Sequence, residues 1–296
     1  MSSLTTRRKF LKSVGALGLA SLVPYAMASG QERIRIGTYS NWIPGYDDKF
    51  KQLVQQWADE NGVRATVDFL PSQQLATIAA EEAEAGSGHD IFSFYVSDAA
   101  LHADDLVTIN DVAEQMGENY GGWTDLGEYL GKSEGDWVAL PREYHNYAAN
   151  FRLDHFEDTL GVGPDVVSDW TWQDLLEAAA ELMEAGHPVG MAISPSGDSN
   201  DWLLPLLYSF GAKVFDENGK LVIDSYETAA ALKYVKELAE YMPDQIYGWD
   251  DSGNNTFMLS GNGSFSFNPP SIWAVAKDDR PDIAEQLWHT RTPAGS

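Results

Sequence analysis

The sequence predicts an α/β protein made of two lobes, and three observations support that prediction. Near the start of the chain, strand and helix patterns alternate, as they do in proteins built on a parallel sheet. Hydrophobic residues make up 44% and charged residues 22% of the 296 residues, which is ordinary for a folded globular protein. Between residues 137 and 151 the chain becomes extended, polar and aromatic, and we expect the boundary between the lobes there.

The first lobe is predicted to begin with a strand, a helix and a second strand. Residues 33–37 alternate polar and apolar side chains, residues 47–61 carry apolar side chains at helical spacing, and residues 63–70 alternate again. Residues 72–84 are rich in Ala and Glu and predict a second helix that ends at nearby glycines. An apolar run over residues 89–96 predicts a third, buried strand.

In the second lobe, helical periodicity is clearest over residues 172–185 and 225–241, each with an apolar stripe along one face. A short strand is predicted at residues 189–193. It is followed by a Ser- and Gly-rich loop over residues 194–200, because these residue types favour turns. The apolar segment 202–210 then predicts another helix.

Two further segments of the second lobe predict turns and strands. Residues 216–220 read Asp-Glu-Asn-Gly-Lys, and the Asp, Asn and Gly in this order are typical of a hairpin turn. Residues 257–273 are rich in Gly, Ser and Asn, a composition that disfavours a helix and predicts strand and turn.

Residues 1–28 have the pattern of an export signal. Arg7 and Arg8 are followed by an apolar stretch over residues 11–23 and by Ala-Met-Ala at residues 26–28, a pattern typical of the twin-arginine type. The alternative, a membrane-spanning helix, needs about 20 apolar residues, and this run is shorter and contains glycine. The chain has no cysteine to carry a lipid anchor, so we expect a freely soluble periplasmic protein.

The composition limits both the partners and the source of stability. The formal net charge is −26, and so acidic a protein repels nucleic acid and anionic lipid head groups, so we expect neither as a partner. With no cysteine there are no disulfides, and stability has to come from a large core.

Four short motifs, in chain order, resemble those of one protein family. They are Gly88-His89-Asp90-Ile91 leading into Asp98, Trp137-Val138-Ala139-Leu140-Pro141, Trp170-Thr171-Trp172-Gln173-Asp174-Leu175, and Phe257-Met258-Leu259-Ser260-Gly261-Asn262-Gly263-Ser264-Phe265. Behind an export signal, this series is similar to the family 1 extracellular solute-binding proteins, the maltose-binding-protein-like periplasmic receptors of ABC importers for carbohydrates. The resemblance covers nearly all of the chain after the signal.

The resemblance implies a fold of the periplasmic-binding-protein type II: two α/β lobes joined by hinge strands, with a ligand cleft between them. It implies a first lobe over residues 29–145, a second lobe over residues 146–290, and the start of a second hinge crossover at residues 291–296. Members of the family normally cross back to complete the first lobe. We therefore expect an incomplete first lobe, and a chain that is less stable or less fully closed than a full receptor.

The resemblance also implies a function, which is to bind one carbohydrate or polyol and deliver it to the permease subunits of an ABC transporter. The protein is expected to act as a monomer, without a cofactor, a metal or catalysis. The motifs S-x-x-K, found in one class of serine enzymes, and H-E-x-x-H, found in zinc enzymes, do not occur in the sequence. Two alternatives stay open: a secreted carbohydrate-active hydrolase that uses paired carboxylates, and a receptor for a non-sugar solute such as glycerol phosphate.

By position in the family, a set of aromatic and polar residues is predicted to bind the ligand. They are Trp42, Tyr95, Asp98, Tyr144, His145, Asn146, Asp198, Trp202, Trp249, Asp251 and Trp273. Carboxylate and amide groups can hydrogen-bond sugar hydroxyls, and aromatic rings pack against the C–H face of a sugar. Trp273 follows a rigid turn containing Pro269 and Pro270, which is suited to presenting its ring.

Several of these residues also have a purely structural interpretation. Asp98 could cap the helix that follows it, and Asp198 lies in a segment where turn formation alone explains an aspartate. Tyr95 and Trp202 could pack in the core. His145 is a lone histidine, and such residues are more often structural than functional.

Overall fold

The computed structural model describes residues 32–95 and 98–295, apart from the side chain of Pro44. The predicted signal peptide at residues 1–28 lies outside the described residues. The chain folds into two compact units, and the boundary between them lies between Tyr144 and His145. Within the described ranges, no helix is both long enough and apolar enough to cross a membrane.

A three-stranded parallel sheet forms the centre of the first unit. Its strands are β1 (Arg33–Tyr39), β2 (Arg64–Leu70) and β3 (Ile91–Phe92), in the order β2-β1-β3. Helix α1 (Pro44–Asn61) connects β1 to β2 and ends at Gly62, whose φ of +66° suits glycine. The predicted strand–helix–strand unit with parallel pairing is therefore confirmed.

The rest of the first unit consists of short helices and one small hairpin. They are α2 (Leu75–Ala85), α3 (Asp98–Leu101), α4 (Asn110–Tyr120), α5 (Asp125–Gly131), β4 (Lys132–Ser133) and β5 (Asp136–Trp137). The third strand, predicted to be buried over residues 89–96, contains only two residues, and Ile91 is 52% exposed. In the described part of the sheet β3 pairs only with β1, so its apolar run is covered less than the sequence pattern suggested.

The second unit is built on an antiparallel sheet. Its strands are β6 (Ala148–Arg152), β7 (Phe265–Asn268) and β8 (Leu287–Thr290), in the order β7-β6-β8. Phe151, Phe265 and Phe267 lie on the face that packs into the main hydrophobic core. Because side chains alternate along a strand, Asn150 and Asn268 lie on the opposite face, where both are nonetheless buried.

Eight helices of the described second unit surround this sheet. They are α6 (Leu153–Leu160), α7 (Pro164–Val167), α8 (Trp172–Glu184), α9 (Gly197–Ser209), α10 (Tyr226–Ala239), α11 (Gly253–Leu259), α12 (Ser271–Asp279) and α13 (Pro281–Ala284). The predicted helices at 172–185 and 225–241 are confirmed as α8 and α10. The predicted turn at 216–220 is also confirmed, because Phe215 and Leu221 bridge in antiparallel fashion across it.

Three sequence predictions about the second unit were wrong. The strand predicted at residues 189–193 is reduced to an isolated parallel bridge between Val189 and Phe265. The predicted loop at 194–200 is partly helical, because the Ser196 hydroxyl accepts a hydrogen bond from the Ser199 N–H and starts α9 at Gly197. The predicted strand and turn at 257–273 contains β7 flanked by α11 and α12. Buried Asn254 and Met258 anchor α11 by packing, which outweighs the weak helix propensity of the segment.

Thr171→Ala is expected to lower the free energy of unfolding by about 1 kcal/mol. The Thr171 hydroxyl accepts from the Asp174 N–H, and the Asp174 carboxylate accepts from the Thr171 N–H at 2.7 Å, forming a capping box at the start of α8. Urea denaturation measures the loss. The control is Gln173→Ala, an exposed position in the same turn; a loss as large as that of Thr171→Ala would contradict the assignment.

His155→Phe is expected to remove part of the acid sensitivity of the second unit. The His155 ring is buried and stacks on His187 with centroids 3.7 Å apart. Burial lowers the pKa of His155 to about 4, and the charge of Arg152 adds to this effect. Because an unfolded histidine has a pKa of about 6.5, the unfolded chain binds more protons as the pH falls from 6.5 to 4, and stability falls with it. Denaturation across this pH range should show a shallower decline in the variant; equal slopes would argue against the burial of His155.

Candidate functional site

An aromatic cluster lies at the carboxyl end of β1 in the first unit. Tyr39, the last residue of β1, is 8% exposed and stacks on Tyr95 with ring centroids 4.8 Å apart. The Trp42 ring lies 5.7 Å from that of Tyr39. The structure therefore brings together the predicted residues Trp42 and Tyr95, through a tyrosine that the sequence analysis missed. Its position at the carboxyl end of a parallel strand, where ligands commonly bind, was the available indication.

Arg142 and Glu143 complete this cluster and balance each other's charge. Arg142 Nη2 donates to Glu143 Oε1 at 2.5 Å, and the Tyr39 hydroxyl donates to the same oxygen at 2.8 Å. Arg142 Nη1 donates to Thr38 Oγ1 and Ser93 Oγ, each at 2.9 Å. Burial alone would raise the pKa of Glu143, but the hydrogen bonds from Arg142 and Tyr39 outweigh it and hold the pKa below its usual range. The carboxylate therefore stays ionised.

The other predicted residues around the limit of the first unit are more open. Asp98 starts α3, and its Oδ2 accepts a hydrogen bond from the Tyr95 N–H at 3.2 Å, so it holds the loop that carries the Tyr95 ring. Tyr144, at the end of the first unit, is 72% exposed. His145 and Asn146, the first residues of the second unit, are exposed as well.

In the second unit, a polar centre forms at the start of α9. Asp198 is the second residue of α9, and its Oδ1 accepts a hydrogen bond from the Tyr147 hydroxyl. The Asp198 N–H donates to Asp251 Oδ1 at 3.1 Å. Gly197 permits this approach, because a Cβ there would lie 3.2 Å from the same Asp251 oxygen. The structure thus joins the predicted residues Asp198 and Asp251.

The electrostatics of this polar centre are unusual. Burial raises the pKa of Asp198 to about 7. The charges of Asp251 and Asp201 raise it further, whereas the hydrogen bond from Tyr147 lowers it. Asp198 Oδ2 is buried and has no hydrogen-bond partner among the described residues. Burial and the Asp198 charge hold the pKa of Tyr147 well above its usual range, so its hydroxyl remains a donor. The site therefore contains a fixed donor and a carboxyl oxygen that can still accept a hydrogen bond.

Tyr147 and Asp201 belong to this centre, although neither is in the list of predicted binding residues. Burial raises the pKa of Asp201, and Tyr147 and Asp251 both act on it. Asp201 lies three residues after Asp198, so the two side chains are neighbours on one face of α9, and helical spacing could have indicated it. The prediction of a loop over 194–200 concealed that spacing.

The three predicted tryptophans of the second unit lie in different surroundings. The Trp249 ring is half-buried and packs on Phe257, with centroids 5.2 Å apart. Trp202 is 2% exposed, and its indole N–H donates to the Ala192 carbonyl at 2.8 Å. Its ring therefore belongs to the core, which agrees with the structural interpretation of this residue. Trp273, in the first turn of α12, is 39% exposed, and the Lys277 ammonium lies over its ring, 4.2 Å from the ring centroid.

The chemistry of these groups suits a solute with many hydroxyls. Carboxyl oxygens accept hydrogen bonds, the Tyr147 hydroxyl donates one, and exposed aromatic rings pack on C–H groups. Among residues 32–95 and 98–295, no group of three or more His, Asp or Glu side chains is arranged to hold a metal ion.

The fold and these residues can be set against known proteins. Residues 43–295 match the family model of the bacterial extracellular solute-binding proteins, and the chain belongs to this family. An arabinooligosaccharide-binding protein from Halalkalibacterium halodurans is 22% identical over 262 residues, which cover 83% of this chain. The match covers 56% of that relative, so the chain spans little more than half of its length.

Solved structures show the same fold. Maltose-bound MalE3 from T. maritima aligns with a TM-score of 0.79 and 21% identity, covering 89% of this chain and 68% of that one. An ABC transporter solute-binding protein from Thermotoga lettingae TMO, bound to α-D-tagatose, aligns with a TM-score of 0.75 and 19% identity, covering 90% and 69%. These likenesses confirm the predicted α/β fold of the periplasmic-binding-protein type.

Asp198→Asn is expected to stabilise the protein at pH 8 but not at pH 4. The folded pKa of about 7 lies above the usual value near 4, so the folded state binds the extra proton between these values and loses stability as the pH rises through 7. Removing the charge should raise the free energy of unfolding at pH 8 by roughly 1–2 kcal/mol, allowing for partial contact with solvent.

Urea denaturation of both proteins from pH 4 to 8 measures this difference. Asp224→Asn, at an exposed position, is the control and should show the same difference from wild type at every pH. A constant difference for Asp198→Asn as well would show that its carboxyl is not desolvated.

Proposed function

We propose that this chain is the solute-binding component of an ABC importer, and that it binds a carbohydrate or polyol and passes it to a membrane permease. The observation that carries the proposal is the polar centre at the start of α9. There Tyr147 and Asp251 hold a buried Asp198 whose Oδ2 is unpartnered among the described groups. A solute hydroxyl donating to this oxygen would restore a hydrogen bond that the carboxyl lost on burial.

Membership of the family supports the solute-binding part of the proposal. The sugar or polyol class is supported by what the relatives bind: arabinooligosaccharides, maltose, tagatose and ribitol. In the first unit, the rings of Trp42 and Tyr95 are proposed to pack on a solute of the same class. In the second unit, Trp249 and Trp273 are proposed to do so, and Asp98, Tyr144, His145 and Asn146 stay predicted contacts.

The proposal extends to the setting of the protein. We infer export through the twin-arginine signal at residues 1–28 into the periplasm, without a lipid anchor, and action as a monomer that binds its solute without altering it. The predicted lobe limits, residues 29–145 and 146–290, and the hinge crossover at 291–296 remain part of this proposal. In the structure, Ala294 bridges to Thr171 of the second unit.

A thermal-shift screen tests the function. Arabinose oligosaccharides, maltose, D-tagatose, ribitol and glycerol 3-phosphate are each added to the exported chain, and every solute that raises the melting temperature is recovered and analysed. A solute present at 100 times its Kd should add about 2.7 kcal/mol of stability. A sugar or polyol recovered unchanged supports the proposal. A cleaved sugar points to a hydrolase, and binding of glycerol 3-phosphate alone overturns the sugar class.

Tyr147→Phe is expected to weaken binding of the identified solute about tenfold, the effect of one buried hydrogen bond. The variant removes the donor that orients Asp198 while keeping the ring. Isothermal titration calorimetry measures the Kd. Tyr226→Phe, which alters a tyrosine that is 84% exposed, is the matched control and should bind like wild type. An unchanged Kd for Tyr147→Phe would remove the polar centre from the binding site.

A further inference from the structure

The second face of the β7-β6-β8 sheet carries a buried network of asparagines. Asn150, Asn254, Asn255 and Asn268 are 0%, 1%, 8% and 3% exposed. Asparagine is seldom buried, and an amide removed from water is costly unless its donors and acceptor are all used. Four such residues close together therefore require either a satisfied network or a large loss of stability.

Asn268, at the end of β7, is the centre of this network. Its Oδ1 accepts from Asn254 Nδ2 at 3.0 Å, and its Nδ2 donates to Asn255 Oδ1 at 2.9 Å and to Ser271 Oγ at 2.8 Å. Its main-chain oxygen accepts from Asn150 Nδ2 at 2.7 Å. One side chain thus links the end of a strand to two residues of α11 and to the first residue of α12.

Both of the helices that Asn268 links lead to proposed site residues. On α11, Asn254 lies three residues after Asp251, whose Oδ1 accepts the hydrogen bond from the Asp198 N–H at 3.1 Å. On α12, Ser271 lies two residues before Trp273. The Asn254 amide also donates to the Phe267 carbonyl at 3.0 Å, which fixes its orientation.

Packing alone does not explain this arrangement. Apolar side chains of similar size can often replace a buried polar network with little loss of stability, so such a network contributes chiefly a defined geometry. On the other face of the same strands, apolar side chains fill the interior, and Phe265 and Phe267 pack in the main core. The amides are concentrated on the face whose hydrogen bonds lead to α11, which follows Asp251, and to the start of α12, which carries Trp273.

We propose that Asn268 is a positioning residue of the solute site: through Asn254 and Asn255 it holds α11 and the preceding Asp251, which bonds Asp198, and through Ser271 it holds the start of α12, which carries Trp273. This inference rests on the proposed function where it calls the site a solute site. The hydrogen bonds from which it is argued involve no ligand. It assigns a role in binding to a residue that is itself buried. A merely structural Asn268 would affect stability and leave the state of Asp198 and Trp273 unchanged.

The test compares Asn268→Ala with Asn150→Ala. Asn150 is a buried asparagine on the neighbouring strand, and its side chain donates to the Ala148 and Asn268 carbonyls instead of to a residue of α11 or α12. Both variants should lose stability to a similar degree. If Asn268→Ala does not fold, Asn268→Ser replaces it, because the serine hydroxyl is too short to bridge Asn254 and Ser271.

Two measurements on the solute-free protein read out the geometry. Carbon-13 NMR of the aspartate carboxyls follows the titration midpoint of Asp198, assigned with Asp198→Asn. Fluorine-19 NMR of protein labelled with 5-fluorotryptophan follows Trp273, assigned with Trp273→Phe. Asn268→Ala is expected to displace α11 and Asp251, to shift the Asp198 midpoint by at least half a pH unit, and to shift or broaden the Trp273 signal. Asn150→Ala is expected to change neither.

The Kd for maltose, D-tagatose and ribitol completes the test. For whichever of these the wild type binds, Asn268→Ala should bind at least tenfold more weakly, and Asn150→Ala within twofold of wild type. Unchanged NMR signals, an unchanged Kd, or equal effects of the two variants would overturn the inference. If the wild type binds none of the three solutes, the proposed function loses its support, while the NMR measurements still decide whether Asn268 positions Asp198 and Trp273.

Discussion

The hydrogen bond from the Tyr147 hydroxyl to the Asp198 carboxyl is the interaction on which the polar centre of the second unit depends. Burial and two neighbouring carboxylates act against ionisation of Asp198, and this donor offsets part of that cost. Tyr147 immediately precedes β6, so the central strand of the sheet fixes the donor, while the capped start of α9 fixes the acceptor. The second oxygen of this carboxyl is buried and has no hydrogen-bond partner among the described residues, so it is the acceptor that the proposed solute hydroxyl would use.

The β7-β6-β8 sheet, which Tyr147 directly precedes, packs differently on its two faces. One face buries the rings of Phe151, Phe265 and Phe267 and contributes most through the hydrophobic effect, which has no preferred direction. The opposite face buries amides, whose hydrogen bonds require defined distances and angles. The first face therefore accounts for the stability of the unit. The second accounts for the precision with which α11 and α12, and the residues they carry, are held against it.

The parts of this structure that the sequence predicts are those set by local periodicity. The parallel β1–β2 pair, α8 and α10 follow from apolar spacing alone. The helix at Gly197 and the helices around β7 were missed because Gly, Ser and Asn locally favour turns, and only tertiary contacts of residues such as Asn254 and Met258 overturn that preference. The same holds for the candidate site. Asp198 and Asp251 could be named from family position, but the hydrogen bonds that join Asp198 to Tyr147 and to Asp251 depend on where three separate segments meet.

The charges on the described residues also bear on which solute the protein accepts. In the first unit, the guanidinium of Arg142 is already bonded to Glu143, Thr38 and Ser93, so a phosphate would have to displace an existing carboxylate to use it. In the second unit, the charged groups of the polar centre are the carboxyls of Asp198, Asp201 and Asp251, and an anion near Asp198 would raise the cost of the charge already buried there. A neutral polyhydroxy solute meets neither obstacle, because its hydroxyls donate to carboxyl oxygens without adding charge. The arrangement of charges thus disfavours a phosphorylated solute and agrees with the sugar and polyol class proposed from the site.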